Sequence, residues 1–127
     1  MMALVLLVDD DPDLRAALRA FLESRHHRVI EASDGAQAFA MAEKERPHIL
    51  VMDIVMCGVY GSSAVRKLRE HPPTRHIPIV LMSGSAEKSV LGDVVREPGV
   101  RFLRKPFQPA ELERLIEELL PEGGYTP

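Results

Sequence analysis

Five polar side chains stand where apolar runs of this chain end. Asp9 and Asp10 follow Ala3–Val8, Asp53 closes the run that starts at His48, Ser83 follows Ile77–Met82, and Lys105 lies just past Val100–Leu103. These residue types make one coherent chemistry. Three carboxylates brought together repel and raise one another's pKa unless a cation compensates. Oxygen ligation by one or two carboxylates, with waters retained, is the preference of Mg²⁺. A lysine and a hydroxyl facing such a cluster suit an arriving phosphoryl group, the ammonium offsetting its charge and the hydroxyl donating a hydrogen bond. Phosphoryl transfer needs chiefly positioning and charge neutralisation, and an aspartate can be its nucleophile. The set points to a magnesium-dependent aspartyl-phosphate site.

Such a site needs the run ends gathered on one edge. Short apolar runs bounded by turn signals fit strands buried on both faces, as parallel sheets require, and ligands bind beyond the carboxyl ends of such strands. Ala3–Val8, Arg28–Ala32, the run from His48 to Asp53, Ile77–Met82 and Val100–Leu103 read as five strands. Between them lie helical patterns. Pro12 opens the first helix with Asp11 as its cap, and Leu14, Ala17, Leu18 and Phe21 recur at helical spacing. Arg25, His26 and His27 read as its solvated end, where cations suit the helix dipole, since no further ligands at metal spacing accompany the two histidines.

Asp34 and Gln37 have the spacing of a capping pair for a second helix, whose thin apolar face is Ala38, Phe39 and Ala42. After a loop punctuated by Gly58 and Gly61, the residues Ala64, Val65 and Leu68 mark a third helix that stops before His71-Pro72-Pro73. A weaker fourth runs roughly over Ala86 to Arg96, and Pro109 opens the last, with Leu112, Leu115, Ile116 and Leu119 on one face. Five strands alternating with five helices predict an α/β domain with a parallel sheet and right-handed crossovers. It fills residues 1–121, with 122–127 as a frayed tail.

Composition narrows the classes. A chain of 127 residues is one domain by length, and its net charge of −3 gives no sign of a nucleic-acid surface. The single cysteine, Cys57, excludes an internal disulfide and suits a reducing cytosol. No apolar run approaches the length of a membrane span, and Asp9 cuts the first run off too early for a signal peptide. A soluble cytoplasmic domain is the expectation, and the starting Met1-Met2 slightly favours a natural amino terminus.

Leu7-Val8-Asp9-Asp10-Asp11-Pro12, Val51-Met52-Asp53, Leu81-Met82-Ser83 and Leu103-Arg104-Lys105-Pro106-Phe107 together resemble the motifs of the receiver domain of two-component response regulators. The match runs in the family's order across essentially the whole chain. It implies a flavodoxin-like doubly wound (βα)5 fold with a five-stranded parallel sheet, order 2-1-3-4-5. It implies Asp53 as the phosphoacceptor, served by the phosphohistidine of a histidine kinase or histidine phosphotransfer protein. Mg²⁺ would be held by Asp10 and Asp53 directly, by Asp9 through water and by the backbone carbonyl of Val55. Ser83 and Phe102 match the hydroxyl and aromatic that switch together, and Lys105-Pro106 matches a bond usually cis in the family. The switch would remodel the surface of the fourth helix, fifth strand and fifth helix towards a downstream effector. The domain would be a monomer or a phosphorylation-dependent dimer, with no direct binding to nucleic acid or membrane.

Two departures fall on the loop after strand three: Cys57 where the family often has proline, and Tyr60-Gly61 where it often has Asp-Gly. They alter loop shape, and Cys57 reads as a small loop filler rather than a redox-sensitive thiol. Val55 and Ser85 stand where fast-decaying receivers carry a polar amide and an acid, which predicts slow self-dephosphorylation.

An aspartate-nucleophile phosphatase uses similar parts, but typically carries a general acid two residues after the nucleophile, where this chain has Val55. A phosphorylation-independent receiver-like binding module would not need the full acidic set. A nucleotide-binding flavodoxin relative would want a Gly-rich phosphate loop after strand one, which is missing. A stand-alone regulator and a receiver from a hybrid histidine kinase or longer regulator look alike at this length.

Overall fold

The computed structural model describes residues 2–56, 59–84 and 98–120, with the side chains at 55–56 and 59–62 left aside. Its elements in chain order are β1 (Leu4–Val8), α1 (Pro12–Ser24), β2 (Arg28–Ala32), α2 (Gly35–Glu45), β3 (Ile49–Asp53), β4 (Val55–Met56), β5 (Val59–Tyr60), α3 (Gly61–Glu70), β6 (Ile79–Ser83), β7 (Val100–Arg104) and α4 (Pro109–Leu119). The helix expected over residues 86–96, the loop residues Cys57 and Ser85 and the tail 122–127 lie outside the described residues.

Five strands form one sheet in the order β2-β1-β3-β6-β7, every neighbouring pair parallel. Counted along the chain this is the order 2-1-3-4-5 of a flavodoxin-like fold. Alternation along each central strand divides two apolar layers. Val5, Leu7, Ile49, Val51, Val80 and Met82 meet Leu18 and Leu22 of α1 and Leu112 and Ile116 of α4. Leu6, Val8, Leu50, Met52, Ile79 and Leu81 meet Ala38 and Ala42 of α2 and Ala64, Val65 and Leu68 of α3. Both faces are covered, so the strands read as unbroken apolar runs.

Several local expectations hold. Asp11 caps α1, its Oδ1 accepting from the N–H groups of Asp13 (3.0 Å) and Leu14 (3.3 Å), with Pro12 in the first turn. Pro109 opens α4 as expected, and there the side chain of Glu111 also reaches back to the N–H of Gln108.

Others need correction. The capping pair of α2 is one-sided: Asp34 Oδ1 accepts from the N–H of Gln37 at 2.8 Å, but the Gln37 side chain bonds Ser33 instead. The loop after β3 contains a short antiparallel ladder, β4 with β5, where only loop was expected. Two apolar pairs separated by two residues ending in glycine are a hairpin spacing.

The end of α1 also differs. The helix stops at Ser24 with Arg25 as its C-cap, and its last turn carries no basic residue. His26 adopts a left-handed backbone (φ 71°), and His27 turns inward rather than into solvent. Among the described residues, no helix is long and apolar enough to cross a membrane.

Candidate functional site

Sheet register alone brings the expected residues together. Val8 pairs with Met52, so Asp9 and Asp53 leave adjacent strands side by side. Asp53 pairs with Met82, and Ser83 with Arg104, so Ser83 and then Lys105 lie successively further out along the same edge. The N–H of Lys105 donates to the carbonyl of Ser83 at 2.7 Å, tying the last strand exit to its neighbour. The Lys105–Pro106 peptide is cis, as the resemblance implied.

Carboxylate oxygens of Asp9, Asp10 and Asp53 all lie within 4.8 Å of one another. Asp9 is fully buried, Asp53 is 9% exposed, and Asp10 is half-buried. Lys105 answers this charge: its Nζ donates to Asp53 Oδ2 at 2.8 Å and stands 3.6 Å from Asp9 Oδ2. The second distance is an ion pair but too long for a hydrogen bond.

The two Asp9 oxygens therefore differ. Oδ1 accepts from the N–H of Asp11 at 2.9 Å, while Oδ2 is buried without a hydrogen-bond partner. A buried carboxylate oxygen left this way, beside two more carboxylates, fits a hard divalent cation.

Electrostatics agree with that reading. Burial pushes the Asp9 carboxyl above its ordinary range; the Asp11 N–H and the Lys105 charge ease the rise, and the charges of Asp53 and Asp10 add to it. Burial works against the Lys105 ammonium, but the hydrogen bond and charge of Asp53, followed by the charge of Asp9, outweigh it and hold its pKa above the usual value. Lysine alone thus keeps the cluster partly neutralised, and a bound cation would complete the task.

Ser83 is buried at the end of β6, at the site's edge. Phe102 is half-buried in β7 and packs on the apolar layer under α2 and α3. Val55 begins β4, two residues beyond Asp53.

Two groups of polar residues were not anticipated. Arg15 Nη1 donates to the main-chain oxygen of Asp9 at 2.5 Å, and its Nε donates to Glu31 at 2.8 Å. Arg19 bonds the other oxygen of Glu31. Burial tends to raise the Glu31 carboxyl, but the hydrogen bonds and charges of Arg19 and Arg15 hold it below its usual range. A glutamate inside an apolar strand, following Ile30, was the available signal.

The second group is His27 with Glu113, both buried at the opposite end of the sheet. His27 Nδ1 accepts from the N–H of Ala3, and its Nε2 lies 2.8 Å and 3.2 Å from the two Glu113 oxygens. Eighty-six positions separate the pair, and no local pattern joins them.

Beside the acidic cluster, a cavity of about 540 Å³ opens between α1 and the start of α4, lined by Leu14, Leu18, Lys105, Pro106 and Phe107 among others. An apolar groove therefore adjoins the ammonium that touches Asp53.

Comparison with known proteins places this geometry. A family model described as the response regulator receiver domain matches residues 5–117. Protein PilH of Pseudomonas aeruginosa is 33% identical over 119 residues, covering 94% of this chain and 98% of that protein. The receiver domain of sensor histidine kinase PA1611 of Pseudomonas aeruginosa, solved with a magnesium ion coordinated in its active-site cleft, superposes with a TM-score of 0.81 at 31% identity. It covers 94% of this chain and 98% of that one. The chemotaxis response regulator CheY4 of Vibrio cholerae superposes with a TM-score of 0.84 at 27% identity, covering 94% of this chain and all of that one.

Proposed function

The chain belongs to the response regulator receiver domains of two-component signalling, and from that premise we propose that Asp53 accepts the phosphoryl group in a magnesium-dependent reaction. The observation that carries the assignment is the ammonium of Lys105, 2.8 Å from Asp53 Oδ2 and flanked by the carboxylates of Asp9 and Asp10. In the step proposed, a carboxylate oxygen of Asp53 attacks the phosphorus of a phosphohistidine. The new P–O bond forms as the P–N bond breaks, and the imidazole leaves with that electron pair and takes up a proton from solvent. Lys105 holds a positive charge beside the acyl phosphate, and Ser83 donates its hydroxyl to a phosphoryl oxygen. Asp10 and Asp53 directly, Asp9 through water and the carbonyl of Val55 would hold Mg²⁺, which when bound neutralises charge on the transferring group.

The phosphodonor is a histidine kinase or a histidine phosphotransfer protein, reaching Asp53 past the apolar groove beside Lys105. The charge added at Asp53 shifts a two-state equilibrium in which Ser83 moves towards the phosphoryl group and Phe102 turns inward, altering the surface around β7 and α4 for an effector. The domain acts only on itself, without turnover of an external substrate, and works in the cytoplasm. Its likeness to a sensor-kinase receiver favours a second reading, a receiver within a hybrid kinase.

Incubation with Mg²⁺ and acetyl phosphate is expected to add one phosphoryl group by intact mass. Chelation of the metal, or Asp53→Asn, should abolish the gain. Undiminished labelling of Asp53→Asn overturns the choice of acceptor.

A further inference from the structure

The loop that carries two of the acidic residues is held by something outside the acidic cluster. Asp9 is fully buried, and three bonds position it. Its N–H donates to the carbonyl of Ala32 at 3.3 Å, and its Oδ1 accepts from the N–H of Asp11 at 2.9 Å. Its own carbonyl accepts from Arg15 Nη1 at 2.5 Å, a side chain one turn into α1. That guanidinium is itself oriented, because its Nε is bonded to Glu31 of β2, whose other oxygen is taken by Arg19. The chain of contacts runs Arg19, Glu31, Arg15, Asp9 carbonyl, and it ties the exit of β1 to α1 and to the neighbouring strand.

We propose that Arg15, oriented by Glu31, is a positioning residue for the metal pocket: it clamps the Asp9 main chain so that the Asp9 and Asp10 carboxylates are presented together to a divalent cation. The inference rests on the Mg²⁺ reading of the cluster above. Mutating an outer partner that orients a metal-ligating group typically costs roughly 10- to 100-fold in metal affinity. A planar guanidinium suits the task, since it offers Nε to the carboxylate and Nη1 to the carbonyl in one fixed plane. Lysine has a single nitrogen and cannot hold both partners in that geometry.

The sign of one substitution separates this role from simple electrostatics. Arg15, Glu31 and Arg19 together carry a charge of +1, and Arg15→Ala reduces it to zero. Charge alone then predicts equal or tighter binding of a cation nearby. Loss of positioning predicts weaker binding.

The test is titration calorimetry of the whole domain with Mg²⁺ alone, without a phosphodonor, alongside thermal unfolding of each protein. Arg15→Ala is expected to weaken Mg²⁺ binding at least 10-fold, Glu31→Gln by a smaller factor, and Arg15→Lys to recover only part of the loss. Binding by folded Arg15→Ala that is equal to or tighter than the parent's overturns the proposal. Should Arg15→Ala not fold, Arg15→Lys and Glu31→Gln decide it, and unchanged affinity in both overturns it. If the parent itself binds no Mg²⁺, the metal reading of the cluster fails instead, a result distinguishable from failure of the clamp.

Discussion

Lys105 donates from Nζ to Asp53 Oδ2 at 2.8 Å, and this bond is the centre of the site. It joins the exits of two strands that are not neighbours, since β6 lies between β3 and β7. The lysine is held charged by the carboxylates it neutralises, which makes it both an electrostatic partner and a stabilising element.

Replacing Lys105 by Gln should separate those roles. Without the ammonium, buried carboxylates face one another unrelieved, and stability without metal should fall by about 1–3 kcal/mol. Added Mg²⁺ should restore more stability to Lys105→Gln than to the parent, while phosphorylation by acetyl phosphate slows. Denaturant melts with and without Mg²⁺ read the first effect. An equal Mg²⁺ increment in both proteins would show that the lysine does not share the cation's role.

The His27–Glu113 pair makes a prediction at the far end of the sheet. Because Nδ1 accepts from the Ala3 N–H, the ring proton sits on Nε2 and is donated to Glu113. Removing the ring leaves a buried carboxylate and a buried amide without that partner. His27→Ala should therefore cost about 3–5 kcal/mol, and Glu113→Gln, which retains an acceptor, clearly less. Urea unfolding of both variants checks the order. A cost for His27→Ala no larger than for an exposed residue such as His26→Ala contradicts it.

A pH dependence follows from His48. Its Nδ1 accepts from the N–H of Leu4 at 2.6 Å, and burial holds its pKa below the ordinary 6.5. The folded state thus binds the proton less readily than the unfolded one, and stability rises with pH across that window. The contribution is complete above about 6.5 and is lost as pH falls through the lower folded value. His48→Asn keeps an acceptor without a titrating ring, so its stability should decline less than the parent's between about pH 7 and pH 5. Parallel curves over that interval would assign the decline to other groups.

The apolar runs and their polar ends were enough to order five strands, to cap α1 with Asp11 and to pick out Asp9, Asp10, Asp53, Ser83 and Lys105, because a strand buried on both faces is apolar throughout and its exit residue stands out. A hairpin at Val55–Tyr60 and the strand ends at Asp53 and Ser83 were within reach of the same local patterns. Sheet order and register were decided by tertiary packing, and they alone turn five separated residues into one cluster. Which oxygen of Asp9 is left without a hydrogen bond depends on the Asp11 N–H and on a lysine almost a hundred residues away. The inward turn of His27, the approach of Arg15 to the Asp9 carbonyl and the placing of Glu31 between two arginines depend on how α1 and α4 are rotated against the sheet. Charged side chains follow no apolar period, so their partners are set only when crossovers bring distant elements into contact and exclude the water that would otherwise satisfy them.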